Sequence, residues 1–89
     1  MKELIVEIKN EAGLHARPSS KFVEITSKYI SDIKVNTNDE TVNGKSIMGL
    51  MLLGAEKGRK LKLIANGIDE DDLLEALRYL IEVEKFNEI

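Results

Sequence analysis

The chain has 89 residues, with 13 Lys and Arg against 16 Asp and Glu for a formal net charge of -3, a single His and no Cys. That composition excludes a disulfide framework, a thiolate zinc site, thiol redox chemistry and a multi-histidine metal centre within one chain. It also supplies no global basic field for a nucleic acid or an anionic membrane, so neither is expected as a partner. No apolar run approaches the roughly 20 residues that span a bilayer, and the start Met1-Lys2-Glu3 lacks the apolar core of a signal peptide. A cytoplasmic location is therefore expected, with one domain over residues 1–89, because no linker, repeat or low-complexity tract interrupts the chain.

Lys2 to Ile8 alternates Leu4, Val6 and Ile8 against Glu3, Ile5 and Glu7, the period of a half-buried strand. After the loop Asn10-Glu11-Ala12-Gly13, Ser19, Phe22, Val23, Thr26 and Ile30 recur at helical spacing, which predicts a helix from about Ala16 to Tyr29. Pro18 fits only its first turn, where a missing amide donor does no harm. Asp32 to Thr37 and Glu40 to Asn43 read as a hairpin turning through Asn38-Asp39. Ser46 to Leu53 is short and rich in Leu and Met, which favours a helix capped by Ser46 and ended by Gly54. Lys60 to Asn66 alternates again and turns at Asn66-Gly67. Asp69 to Asp72 complement the dipole of a last helix whose one side carries Leu73, Leu77, Leu80, Ile81 and Glu84. The order is βαββαβα. Polar alternate positions on the strands leave one sheet face for water, so the expectation is an α+β fold with a four-stranded antiparallel sheet and three helices on one face.

The stretch Gly13-Leu14-His15-Ala16-Arg17-Pro18-Ser19-Ser20 places the lone imidazole at the start of the first helix. Free amides and the positive end of the helix dipole make that terminus an anion site, here formed by Ala16, Arg17 and Pro18. The same field disfavours a protonated ring, so the His15 side chain is expected to be neutral and nucleophilic near neutral pH. Arg17 adds a permanently charged fork matched to phosphate oxygens. In isolation, the spacing His-x-Arg-Pro reads more readily as a polar cap or loop histidine followed by a solvated arginine than as an active site.

Within this element order, Gly13-Leu14-His15-Ala16-Arg17-Pro18 resembles the active-site motif of HPr, the histidine-containing phosphocarrier of the phosphoenolpyruvate:sugar phosphotransferase system. Val42-Asn43-Gly44-Lys45-Ser46-Ile47-Met48-Gly49 is similar to that family's regulatory-serine segment in its Gram-positive form, continued by Leu53-Gly54 and Lys57-Gly58. The resemblance implies an HPr-like open-faced β-sandwich. It further implies that His15 takes a phosphoryl group on Nδ1 from enzyme I and passes it to a sugar-specific IIA protein, with Arg17 holding the phosphate and Pro18 shaping the helix start. The protein would be a carrier, not a stand-alone enzyme, with a transient phosphohistidine and no metal or other cofactor, acting as a monomer. For Ser46 the resemblance implies phosphorylation by HPr kinase/phosphorylase and corepression with the catabolite regulator CcpA. A phosphate there suits a helix terminus, while capping alone accounts for the serine equally well.

Between Ser46 and Gly54 every residue except Gly49 is apolar, more than a two-turn helix can bury. Ile47, Met48 and Met51, with Ser20 at the rim, are therefore expected to form a docking patch, as in the family; the side to which Leu52 points is left open. Gly44, where relatives often carry Ala or a larger residue, is expected to loosen the approach to Ser46. Gly44-Lys45-Ser46 is not a P-loop, since its first glycine position holds Asp39 and no long parallel strand precedes it. Lys57, Arg59, Lys60 and Lys62 read as a solvated basic face, Glu82, Glu84 and Glu88 as terminal solvation, and Phe22 and Tyr29 as packing. The rival to phosphoryl relay is a purely regulatory HPr-like protein; relatives of that kind can lack the active histidine. A small ligand- or nucleic-acid-binding module is a third reading, disfavoured by the charge balance.

Overall fold

The computed structural model describes residues 1–88. Strand β1 (Lys2–Glu7), helix α1 (Ala16–Thr26), strands β2 (Asp32–Thr37) and β3 (Glu40–Asn43), helix α2 (Ile47–Leu52), strand β4 (Lys60–Asn66) and helix α3 (Glu70–Arg78) follow in that order. Past α3 the helix widens into a π turn over Tyr79–Val83, and a short tight turn follows over Lys85–Asn87. The sheet runs β1-β4-β2-β3 with every neighbouring pair antiparallel, as the alternating pattern requires.

Register places Val6 opposite Leu61, Ile33 opposite Ala65 and Val35 opposite Leu63, all buried on the helix-covered face. Phe22 of α1, Leu50 of α2, and Leu73 and Leu77 of α3 close over them, joined by Leu80, Ile81 and Phe86. The opposite face meets water, and Ile5 is exposed there. Between β2 and β3, Asn38 and Asp39 take φ of 51° and 62°, the left-handed pair that a two-residue hairpin needs and that these side chains tolerate.

Helix α1 stops at Thr26, short of the expected Tyr29, and Ile30 is 76% exposed instead of packed. The cause is local. Lys28 and Tyr29 donate to Ile25 and Thr26, three residues back, which tightens the last turn out of α-geometry. Asp69 then captures the amides of Ile30 at 3.0 Å and Ser31 at 2.9 Å, together with the Ser31 hydroxyl. These bonds, the Ser31 hydroxyl first among them, hold the Asp69 carboxyl below the usual carboxylate range. They tie the start of α3 to the entry of β2. On the last helical stretch Leu74 is buried where Glu84 was expected to share the stripe, and Glu84 faces solvent. Glu82 is not terminal solvation: its Oε2 accepts the amide of Glu7 at 2.9 Å, satisfying a donor on the open edge of β1.

Candidate active site

The start of α1 is built by the loop before it. Gly13 has a φ of +71°, and a Cβ there would lie 2.3 Å from the carbonyl oxygen of Ala55, so only glycine lets the two backbones approach. The next amide, Leu14, donates to that same oxygen at 2.9 Å while its side chain is buried. With Leu14 pinned inward, His15 is turned out and its imidazole is 44% exposed. His15 occupies the N-cap position through its backbone, whose oxygen accepts from Ser19 at 3.0 Å, and its ring makes no capping bond. The polar-cap explanation of the imidazole therefore fails.

The first two helical amides, of Ala16 and Arg17, precede any intrahelical acceptor, and no other group among the described residues accepts from them. Pro18 follows with no donor to waste. His15, Ala16, Arg17 and Ser20 line a shallow open concavity. Arg17 is exposed at its side and enters no ion pair among the described residues, so its fork is available to an incoming anion.

A further participant is not evident from the sequence. The Nε2 of His15 lies 3.3 Å and 3.2 Å from the two carboxylate oxygens of Glu88, so that this residue serves the site and is not terminal solvation. Glu88 is held in turn by Asn10, whose Nδ2 donates to Glu88 Oε1 at 3.0 Å and to the Gly13 carbonyl at 2.9 Å. Both partners of that nitrogen are acceptors, which settles the orientation of the buried amide. Its Oδ1 has no partner among the described residues. The tail bearing Glu88 is anchored by Phe86, fully buried, whose carbonyl accepts from Lys21 Nζ at 2.5 Å. Lys85, Phe86 and Asn87 all take left-handed φ values, 51°, 57° and 56°. The only clue in the sequence was Phe86 itself, an isolated aromatic among polar neighbours.

At α2 the cap is as expected: Ser46 Oγ accepts from the Gly49 amide at 3.0 Å. Leu50 and Leu53 are buried, while Ile47, Met48, Met51 and Leu52 line an exposed apolar concavity, which fixes the side to which Leu52 points. Thr26 at the end of α1 donates to the Gly44 carbonyl at 3.0 Å, and Leu14 before α1 donates to Ala55 after α2. The two helices therefore run antiparallel. Met51 and Leu52 lie toward the His15 end, Ser46 at the other, and Ser20 stands one turn into α1 on the rim of the His15 concavity. Gly44 does not loosen the approach to Ser46. It is buried, its amide donates to Ile33 at 2.7 Å, and a Cβ would come within 2.9 Å of the Ile33 side chain. In the basic group, Lys57 pairs with Glu11 at 2.9 Å and Lys62 approaches Glu3 at 3.8 Å, both on the exposed surface.

Comparison with known proteins identifies the family and the fold. Residues 2–83 match the family model for the PTS HPr component phosphorylation site. A phosphocarrier protein HPr of Neisseria meningitidis is 50% identical over 76 residues, covering 85% of this chain and 85% of that protein. An HPr-like protein Crh of Halalkalibacterium halodurans is 43% identical over 84 residues, 94% of this chain and 100% of that one. Among solved structures, HPr-C-His of Thermoanaerobacter tengcongensis superposes with a TM-score of 0.94 at 50% identity, covering 100% of this chain and 99% of that chain. An HPr dimer from the same organism superposes at 0.75 with 49% identity, covering 96% of this chain and 98% of that chain, so the fold does not by itself dictate the expected monomer.

Proposed function

The chain belongs to the PTS HPr family, whose phosphocarrier role it shares, and on that premise we propose that it accepts a phosphoryl group on His15 from phospho-enzyme I and delivers it to sugar-specific IIA proteins. The reading is carried by one observation: a half-exposed imidazole at a helix N-terminus, with Nε2 engaged by Glu88 and no described residue on Nδ1. Nδ1 is then the nitrogen left to attack. Its lone pair displaces the donor's imidazole from phosphorus, and the phosphoryl oxygens are received by the amides of Ala16 and Arg17 and by the Arg17 guanidinium. Phosphoryl transfer needs little more from a protein than alignment and charge stabilisation, and these groups are proposed to supply both. No metal or cofactor enters this scheme, because the positive field is supplied by backbone dipoles and Arg17.

The apolar surface of Ile47, Met48, Met51 and Leu52, together with Ser20 on the His15 concavity, receives both partners in turn, since flexible thioethers adapt to more than one contact surface. Ser46 is proposed as a target of HPr kinase/phosphorylase, and its phosphorylated form as a corepressor with CcpA. Its half-buried hydroxyl already points at the α2 amides that stabilise a phosphate. One copy of the chain suffices for the relay, which is proposed to run as a monomer in the cytoplasm. The similarity to a Crh protein favours, as a second reading, a regulatory role without relay. The exposed His15 and an Arg17 without an ion pair among the described residues weigh against it.

The test is incubation with enzyme I and phosphoenolpyruvate. One added phosphoryl group, removed by acid and prevented by His15→Ala, is the expected result. Persistent absence of the adduct with a competent enzyme I refutes the relay and leaves the regulatory reading.

A further inference from the structure

Resting on the carrier reading, we infer that Glu88 is a positioning residue which keeps a proton on Nε2 of His15 through both halves of the relay, and that Asn10 and Phe86 hold it there. The geometry is specific. Both Glu88 oxygens lie within 3.3 Å of Nε2, and the Glu88 side chain is only 17% exposed although it belongs to the end of the chain. A carboxylate can only accept, so the ring nitrogen facing it is the protonated one, and the lone pair of the neutral ring is placed on Nδ1. Asn10 supports this at the expense of its own Oδ1, a buried oxygen left without a described partner while Nδ2 bridges Gly13 and Glu88.

The consequence is a proton balance that needs no acid or base. In loading, the Nδ1 lone pair forms the bond to phosphorus as the N–P bond of the donor phosphohistidine breaks and its electron pair returns to the donor ring. His15 becomes an Nδ1-phosphorylated imidazolium, its Nε2–H still facing Glu88, whose negative charge offsets the new positive charge on the ring. In unloading, the acceptor's lone pair takes the phosphorus, and the Nδ1–P electron pair returns to Nδ1. The neutral Nε2–H ring is restored. No proton has crossed His15 in either step, and the leaving group departs as a neutral imidazole because the proton was already in place.

Two variants separate the parts of this role. Glu88→Gln keeps an oxygen that can accept from Nε2–H but removes the charge; Glu88→Ala removes both. The readouts are the 15N shifts of the His15 ring in the unphosphorylated protein and single-turnover rates from phospho-enzyme I and to a IIA protein. For Glu88→Ala the expected result is a larger Nδ1–H population and a loss of about two- to fivefold in both rates, the range of a partly solvated charge pair. Glu88→Gln should retain the wild-type ring shifts and fall between the two in rate. Unchanged ring shifts in Glu88→Ala overturn the inference whether or not its rates fall, and so do unchanged rates. Should the unaltered protein fail to load at all, the carrier reading fails, while the ring shifts still decide whether Glu88 sets the tautomer. The urea midpoint of each variant checks that the fold is intact.

Discussion

Truncation of Phe86 to Ala tests whether the tail is a spring-loaded clasp or a fixed part of the core. Removing a fully buried Phe ordinarily costs about 3–5 kcal/mol. Here the ring also holds a strained backbone. Lys85 and Phe86 sit at φ of 51° and 57°, at about 1–2 kcal/mol each, and Asn87 adds less because asparagine tolerates this region. Strain of about 2–4 kcal/mol is thus offset mainly by one side chain. Once the ring is gone, releasing residues 84–88 recovers the strain, so the global loss should be below about 2 kcal/mol. Urea denaturation measures that loss, and amide hydrogen exchange reports the tail: the amides of Asn87 and Glu88, which donate to Glu84 at 2.8 Å and Lys85 at 3.1 Å, should lose protection. The His15 ring shifts should move to those of Glu88→Ala. A full loss of 3–5 kcal/mol with the tail still protected and the ring unchanged would refute the reasoning.

Gly13→Ala forces a side chain into left-handed backbone and toward the Ala55 oxygen, and should cost more than about 2 kcal/mol in urea denaturation while slowing the loading of His15. Ser46→Ala removes the acceptor of the Gly49 amide and should cost about 1 kcal/mol by the same assay, with loading of His15 unaffected. The Asp69 carboxyl titrates below its ordinary range because the Ser31 hydroxyl and the amides of Ile30 and Ser31 favour its charged form. Its contribution to stability is therefore present in full above the unfolded carboxylate pKa of about 3.9 and is lost as pH falls through the lower folded value. Urea titrations from pH 6 down to pH 2 should show this as a fall in stability below about pH 4 that is shallower in Asp69→Asn; identical slopes would contradict it.

The sheet and the leucine stripe were legible because the inward positions of the strands recur at every second residue, with Ile5 and Ile64 as the apolar exceptions on the outer face, and α3 repeats its apolar residues on one face. The hairpin turn was legible because Asn38 and Asp39 are among the few residues that accept its geometry. The exposed placement of His15 and Arg17 at the start of α1 and the Ser46 cap were legible because each depends on neighbours a few positions away. What failed had a different character. The end of α1 was settled by the tightened turn at Lys28 and Tyr29 together with Asp69, some forty residues downstream, which takes the amides of Ile30 and Ser31. The Glu88 contact with His15 and the Glu82 contact with Glu7 span 73 and 75 positions, and nothing local distinguishes these two glutamates from the exposed Glu84. Gly44 was misjudged because its neighbour across the fold, Ile33, is not evident from the segment in which the glycine stands.

The most direct measurement is phosphorus–nitrogen coupling in the 15N-labelled protein after loading by enzyme I and phosphoenolpyruvate. The result expected is a single coupled nitrogen, Nδ1 of His15, with Nε2 still carrying its proton. Phosphate bound at Nε2, or on any residue other than His15, would contradict it.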